Sequence, residues 1–142
     1  LALSVYLDAS LIVSLFVDDA FTQRANSAFR TSPDALVVSD FAAAEFASVI
    51  ARQVRTAKLS SESASKIFSD FDVWTATWAT DAETQTADIV RAGAILRRLD
   101  INLRAPDAIH IAIAQRIGAQ LATFDKKMAE SARALGLPLV PL

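Results

Sequence analysis

The chain has 142 residues, with fourteen Lys and Arg against sixteen Asp and Glu, one His and no Cys, for a formal net charge of −2. This length fits one domain, residues 1–142, with a core large enough to fold without staples. The missing Cys excludes disulfides, Cys-ligated zinc, iron–sulfur clusters and thiol nucleophiles, a lone His110 excludes a two-His zinc motif, and the charge argues against a broad basic surface for nucleic acid.

Along the chain, residues 3–7 read as a strand ending at Asp8, and residues 9–17 as a helix. Residues 20–30 form a second helical stretch, stopped by Ser32 and Pro33. Residues 36–38 read as a short buried strand. Ser39 and Asp40 are both good N-caps for a helix over residues 41–57. Ser60 or Ser61 starts another helix, in which Ile67, Phe71, Trp74 and Trp78 fall four, three and four apart as an apolar stripe. Residues 84–99 read as helical. Pro106 suits the first turn of a helix running to about Ile117. Residues 119–124 read as a strand, residues 126–135 as a helix stopped by Gly136, and residues 137–140 as a last strand.

Short apolar strands separated by helices imply right-handed crossovers and a parallel sheet buried on both faces, an α/β fold. In such sheets, sites lie beyond the carboxyl ends of the strands. Hydrophobic residues make up 53% of the chain, but 28 of them are Ala, a helix former. No apolar run approaches the roughly 18 residues that span a bilayer. The first apolar stretch has no basic region before it and does not read as a signal peptide. The expectation is a soluble, cytoplasmic protein without membrane contact.

Asp8 follows the first strand directly, in Tyr6-Leu7-Asp8-Ala9-Ser10, and Asp125 follows Leu121-Ala122-Thr123-Phe124. Each sits where a site is expected, and each also suits a helix N-cap. Glu45 cannot be a capping-box acid, because that acid would stand at Ala42 or Ala43. It falls between Phe41 and Val49, on the flank of the apolar arc. Arg52 is too far along the helix to be its i+4 mate. A carboxylate there needs a cation, hydrogen bonds or a metal, unless it snorkels to the surface. Asp107 opens the nearly all-apolar helix after Pro106, where the helix dipole also favours an acid. Arg104 just before it could steady a carboxylate or a phosphate.

Asp8, Glu45, Asp107 and Asp125 together make a candidate acidic cluster. Carboxylates side by side raise one another's pKa and need cations to stay ionised. Oxygen ligands alone select hard ions such as Mg²⁺ or Mn²⁺. Such a site suits phosphoryl chemistry, with one ion activating the attacking water and another stabilising the leaving oxygen.

The series Asp8-Ala9-Ser10, Glu45, Pro106-Asp107-Ala108-Ile109-His110 and Thr123-Phe124-Asp125 resembles the PIN-domain nucleases, most closely the VapC toxins of bacterial toxin–antitoxin pairs. The likeness covers essentially the whole chain. Leu103 to His110 is its most distinctive stretch. It implies a three-layer α/β/α sandwich around a short parallel sheet of about five strands. It implies a Mg²⁺- or Mn²⁺-dependent endoribonuclease, usually a homodimer, held inactive by a small VapB-like antitoxin. By position, Asp8, Glu45, Asp107 and Asp125 would be the catalytic metal ligands, with Ser10 and Thr123 as polar support. Met128 stands where the family often has an aromatic residue, a difference expected to concern packing.

His110 shares a face with Asp107 and could assist a water or the scissile phosphate, although a lone His on an apolar helix is more often a satisfied core residue. Lys126 and Lys127 begin a helix, so dipole complementation does not explain them, and they are candidate phosphate contacts. Trp74 and Trp78 could stack RNA bases but read better as core or partner surface. Asp18-Asp19 reads as a helix start. Two rival functions remain. One is a phosphotransfer receiver-like domain, which would need an acidic neighbour for Asp8. The other is a non-catalytic PIN-like interaction module whose acids are caps.

Overall fold

The structure is a computed structural model that describes residues 4–30 and 34–142. The expected strand start at Leu3 and the helix stop at Ser32 and Pro33 lie outside the described residues. In chain order the elements are β1 (Val5–Leu7), α1 (Ala9–Phe16), α2 (Thr22–Phe29), β2 (Leu36–Ser39), α3 (Asp40–Arg55) and α4 (Ser61–Trp78). They continue with β3 (Ala79–Ala82), α5 (Thr86–Leu96), α6 (Ala105–Ile117), β4 (Gln120–Ala122) and α7 (Lys126–Ala134). All strand pairs are parallel, in the order β3-β2-β1-β4.

Side chains alternate across the sheet because successive residues of a strand point to opposite faces. Val5, Leu7, Leu36 and Val38 pack on one side with Ile12, Phe46, Phe71 and Trp74 from α1, α3 and α4. Tyr6, Val37 and Leu121 pack on the other with Ile95, Ile111 and Met128 from α5, α6 and α7. The result is three layers, α/β/α, as expected. Met128 is fully inside, so its difference from the family pattern is one of packing. Among the described residues, no helix is long and apolar enough to cross a membrane.

Caps fix where most helices begin. Asp8 accepts from the Leu11 amide, Ser39 from Ala42, Ser60 from Ser63 and Asp125 from Met128. Each answers a backbone N–H that the helix itself leaves unpaired. Gly118 ends α6 with φ 68, the left-handed conformation that glycine adopts without strain, and lets the chain turn at once into β4.

Several expectations are corrected. β3 was not expected, and α5 begins at Thr86 rather than at residue 84. Ala79-Thr80-Asp81-Ala82 is a polar edge strand without an apolar run. It is held by pairing with β2 and, beyond its end, by Thr84, whose amide donates to Asp40 Oδ1 at 2.9 Å. Among the described residues the sheet also has four strands rather than about five. Residues 137–140 make only a single parallel bridge, Leu121 to Leu139, at the far edge. Pro138 has no N–H to give, and the segment is held by two bonds, Leu121 N to Pro138 O and Val140 N to Leu121 O, both 2.9 Å.

α5 and α6 are tied by a buried acid. Asp88 is 2% exposed. It accepts from Arg116 Nε at 2.8 Å and from a second Arg116 nitrogen at 3.1 Å, and from the Gln85 amide at 2.8 Å. Burial alone would raise its pKa, but the Arg116 and Gln85 hydrogen bonds and the Arg116 charge outweigh it and leave the pKa below the usual range. Removing this acceptor leaves Arg116 with only the Glu83 carbonyl and the Gln85 amide without a partner. Asp88→Ala should therefore lower stability by about 2–3 kcal/mol at pH 7 in urea unfolding. A depressed folded pKa means that the acid's contribution is full above its unfolded value of roughly 4 and is lost as pH falls through the folded value. The gap between wild type and variant should thus shrink in the same experiment at pH 3.

Candidate active site

The sheet order reverses at β1. The chain builds outward from β1 through β2 to β3, then returns to place β4 on the other side of β1. The crevice beyond the carboxyl ends of β1 and β4 is the switch point where open α/β sheets bind ligands. The register Leu7 to Ala122 puts Asp8 beside Thr123 at that point.

Asp8 is 3% exposed. Thr123 Oγ1 donates to its Oδ2 at 2.5 Å, the Leu11 amide to its Oδ1 at 2.9 Å, and Ser10 Oγ lies 3.0 Å from both oxygens. Burial pushes the Asp8 carboxyl above the ordinary range, while the Thr123, Leu11 and Ser10 hydrogen bonds and His110 pull it back. Ser10 and Thr123 are thus direct supports of Asp8.

Asp107 stands in the first turn of α6, partly buried. Its pKa is raised, first by burial and then by the negative charge of Asp125, and Arg104 and His110 oppose the rise. Asp107 and Asp125 therefore face one field although 18 positions of chain separate them. Asp125 is exposed and caps α7, accepting from Met128 N at 3.2 Å, while Thr123 Oγ1 accepts from the Asp125 amide at 3.0 Å. Lys126 and Lys127 are exposed on the first turn of α7, and Arg104 is exposed before α6.

Glu45 does not snorkel freely to solvent. Its carboxylate meets His110 Nε2. His110 is 3% exposed, and its Nδ1 lies 2.6 Å from the Tyr6 hydroxyl, which lies 2.7 Å from Ser39 Oγ. A carboxylate only accepts, so Nε2 carries a proton; in the neutral ring Nδ1 then accepts from Tyr6. Burial raises the Tyr6 pKa, with the Asp8, Glu45 and Asp40 charges adding to the rise against the Ser39 hydrogen bond, so the phenol keeps its proton. His110 is thus a satisfied core residue, and its outer nitrogen fixes Glu45.

All four acids lie at this edge of the sheet. Their side chains are not all turned to one point. Among the described residues, no three His, Asp or Glu side chains gather closely enough to hold an ion. Glu45 faces His110, and Asp125 faces its own helix. Trp74 is buried, its indole N–H donating to Arg30 O at 3.0 Å, and Trp78 is half-exposed on the opposite layer from α6. Asp19 accepts from the Phe21 amide at 2.8 Å, a helix-start role. Tyr6 was not foreseen as a site residue, and Ser39 was expected only as an N-cap. The signal for Tyr6 was a hydroxyl-bearing residue in a strand that is otherwise apolar.

A family model described as PIN domain matches residues 5–134. No protein of established function matches the chain by sequence. Several solved structures share its fold. The sarcin–ricin-loop-cleaving toxin VapC20 of Mycobacterium tuberculosis superposes with TM-score 0.74 at 18% identity, covering 97% of this chain and 99% of that one. FitAcB of Neisseria gonorrhoeae gives 0.70 at 13%, covering 96% of each chain. VapBC-1 of nontypeable Haemophilus influenzae gives 0.65 at 16%, again covering 96% of each.

The Tyr6 hydroxyl is the one group that links Ser39 to His110. Tyr6→Phe leaves a buried ring nitrogen without a partner, so unfolding should become easier by about 1–3 kcal/mol. Nitrogen NMR of the His110 ring should show the Nδ1 resonance moving in this variant. An unmoved resonance with unchanged stability would mean that the hydroxyl contributes nothing.

Proposed function

The chain belongs to the PIN domain family, and on that basis we propose that it is a divalent-metal-dependent endoribonuclease, the toxin of a type II toxin–antitoxin pair. The observation that carries this reading is the set of acids at the switch point, with Asp8 held in place from β1 and β4 and Asp107 pressed by the charge of Asp125. Two acids that repel at the mouth of a crevice suit a cation, and carboxylate oxygens suit a hard one. The donor chemistry therefore fits Mg²⁺ or Mn²⁺.

Asp8, Glu45, Asp107 and Asp125 would hold the ion. When bound, it would stabilise charge on the phosphate and make water a better nucleophile. The chain's own residues do the rest. Thr123, Ser10 and the Leu11 amide keep Asp8 from rotating. His110 holds Glu45 at the rim. Arg104, Lys126 and Lys127 would attract and orient the RNA phosphates that flank the cut.

The solved VapC20 is a toxin that cleaves the sarcin–ricin loop, and a solved structure from Klebsiella pneumoniae with this fold is a toxin–antitoxin complex. By that likeness, this chain would act on RNA in the cytoplasm, form homodimers and be silenced by a small VapB-like antitoxin. A receiver-like role fits less well. Both Asp8 oxygens are already engaged, and Lys126 and Lys127 are exposed rather than buried beside it. A non-catalytic PIN-like module keeps one observation in its favour, the absence among the described residues of a gathered three-ligand set.

Asp107→Asn is the cleanest test, because Asp107 is only partly buried whereas Asp8 also builds the fold. The variant should lose Mn²⁺-dependent cleavage of total cellular RNA by at least about a hundredfold, the scale of removing one electrostatic support of a transition state. Mn²⁺ at about a hundred times its dissociation constant should stabilise the wild-type chain by roughly 2.7 kcal/mol in thermal unfolding. That gain should vanish in Asp107→Asn. Full cleavage by the variant would end the nuclease assignment, and a wild-type chain indifferent to Mn²⁺ would favour the non-catalytic module.

A further inference from the structure

A groove of about 830 Å³ runs from Thr123 and Asp125 along the side of α7 towards the segment after Gly136. Its walls combine two features. The first is a stacked aromatic pair. Phe21 and Phe124 lie with ring centroids 4.7 Å apart and planes 14° apart. Phe21 is 39% exposed, with one face against Phe124, Arg24 near its ring and part of its surface open to solvent. The second feature is positive charge. The Arg24 guanidinium lies 5.1 Å from the Phe124 centroid and 5.9 Å from that of Phe21. Lys126 and Arg133 line the same groove. All three cations are exposed, and none is among the ion pairs found within the described residues.

Stacking on Phe124 covers part of Phe21 yet leaves 39% of it in water, and an arginine resting on two rings gives up conformational freedom that solvent would otherwise allow it. Together they match what single-stranded nucleic acid asks of a protein. Bases stack on aromatic faces whatever their identity, and cations follow the backbone phosphates. The rings also hold the Arg24 charge at the groove wall instead of letting it swing away. Three cations against the single carboxylate of Asp125 give the groove a positive excess. The other large groove near α1 differs. It sits between α1, α3 and α4 and is lined by Asp18, Asp19 and Asp70 with Lys58 and Lys66, so it has no such excess.

We propose that the groove is a subsite for single-stranded RNA. A base next to the scissile phosphate stacks on Phe21, and the following phosphates lie between Arg24, Lys126 and Arg133. The proposal rests on the nuclease reading for its placement, since Thr123 and Asp125 belong both to the groove and to the acidic edge. It adds a direction. RNA leaves the site past α7 and not across α3, and the enzyme accepts an unpaired strand because a stacked duplex offers no free base face.

The test measures binding, so it does not depend on cleavage. A fluorescein-labelled 12-nucleotide single-stranded RNA of mixed sequence is titrated against the Asp107→Asn chain, with a duplex of equal length and a 12-residue polyglutamate as controls. The single strand should bind at least tenfold more tightly than either control. Adding Phe21→Ala should weaken it about tenfold, within the range of one lost base stack, and Phe21→Trp should restore it. Adding Arg24→Glu with Arg133→Glu should weaken it further and flatten the salt dependence by roughly 1.4 in log–log slope, about 0.7 for each lost phosphate contact. All these positions are exposed, and circular dichroism should report an unchanged fold. Affinity within twofold of the parent in these variants overturns the subsite, as does equal binding of the duplex. Polyglutamate binding as tightly as RNA and lost in the arginine variants would assign the groove to an acidic peptide instead. Failure of the nuclease reading is seen separately, as RNA left intact by the wild-type chain with Mn²⁺.

Discussion

A carboxylate that is 3% exposed must have its oxygens answered, and at Asp8 the answers come from both sides of the β1–β4 seam. Its own helix supplies the Leu11 amide and its own turn supplies Ser10. Thr123 supplies the third donor from the end of β4. The strand register, the start of α1 and the exit of β4 are therefore fixed by one acid. Slipping β4 by one residue would turn Thr123 away and send Leu121 to the wrong face of the sheet. The charge chemistry at the rim depends on this alignment, because Asp125 takes its position from the same turn through the bond between its amide and Thr123.

Much of this frame could be read from the sequence, and the reason differs between elements. Caps such as Ser39, Ser60 and Asp125 are local, and a helix start depends on residues three positions away. Core stripes such as Phe71 and Trp74 repeat with the helix period. β3 was hidden because its stability comes from its neighbour β2 and not from its own four residues. Residues 137–140 looked like a strand because they are apolar, but Pro138 removes a donor that a ladder needs. The acids could be located by their places at strand ends and helix starts. Their partners could not. Glu45 and His110 are 65 positions apart, and Tyr6 and His110 are 104 apart, so no window of sequence contains either pair.

Charge separates the edge from the rest of the molecule. A net charge of −2 suggested a poor match for RNA. Setting aside the four acids of the crevice leaves fourteen cations against twelve acids, and three of those cations stand together along one groove. The formal total hides a dipolar arrangement, with negative charge along the acidic edge and positive charge beside it. On the proposed reading, an ion held at that edge would offset the first and leave the second to meet phosphate.

The Thr123–Asp8 bond also has a meaning in time. It spans 115 positions, whereas α6, β4 and α7 are consecutive and joined by the abrupt turn at Gly118. Neighbouring segments meet early in folding, and distant ones pay loop closure first. On a ribosome, β1 emerges long before β4 exists, so it waits with an unanswered acid at its end. The crevice closes only once Thr123 and its turn have been made and can reach Asp8. A growing chain that has yet to present β4 therefore carries no assembled site.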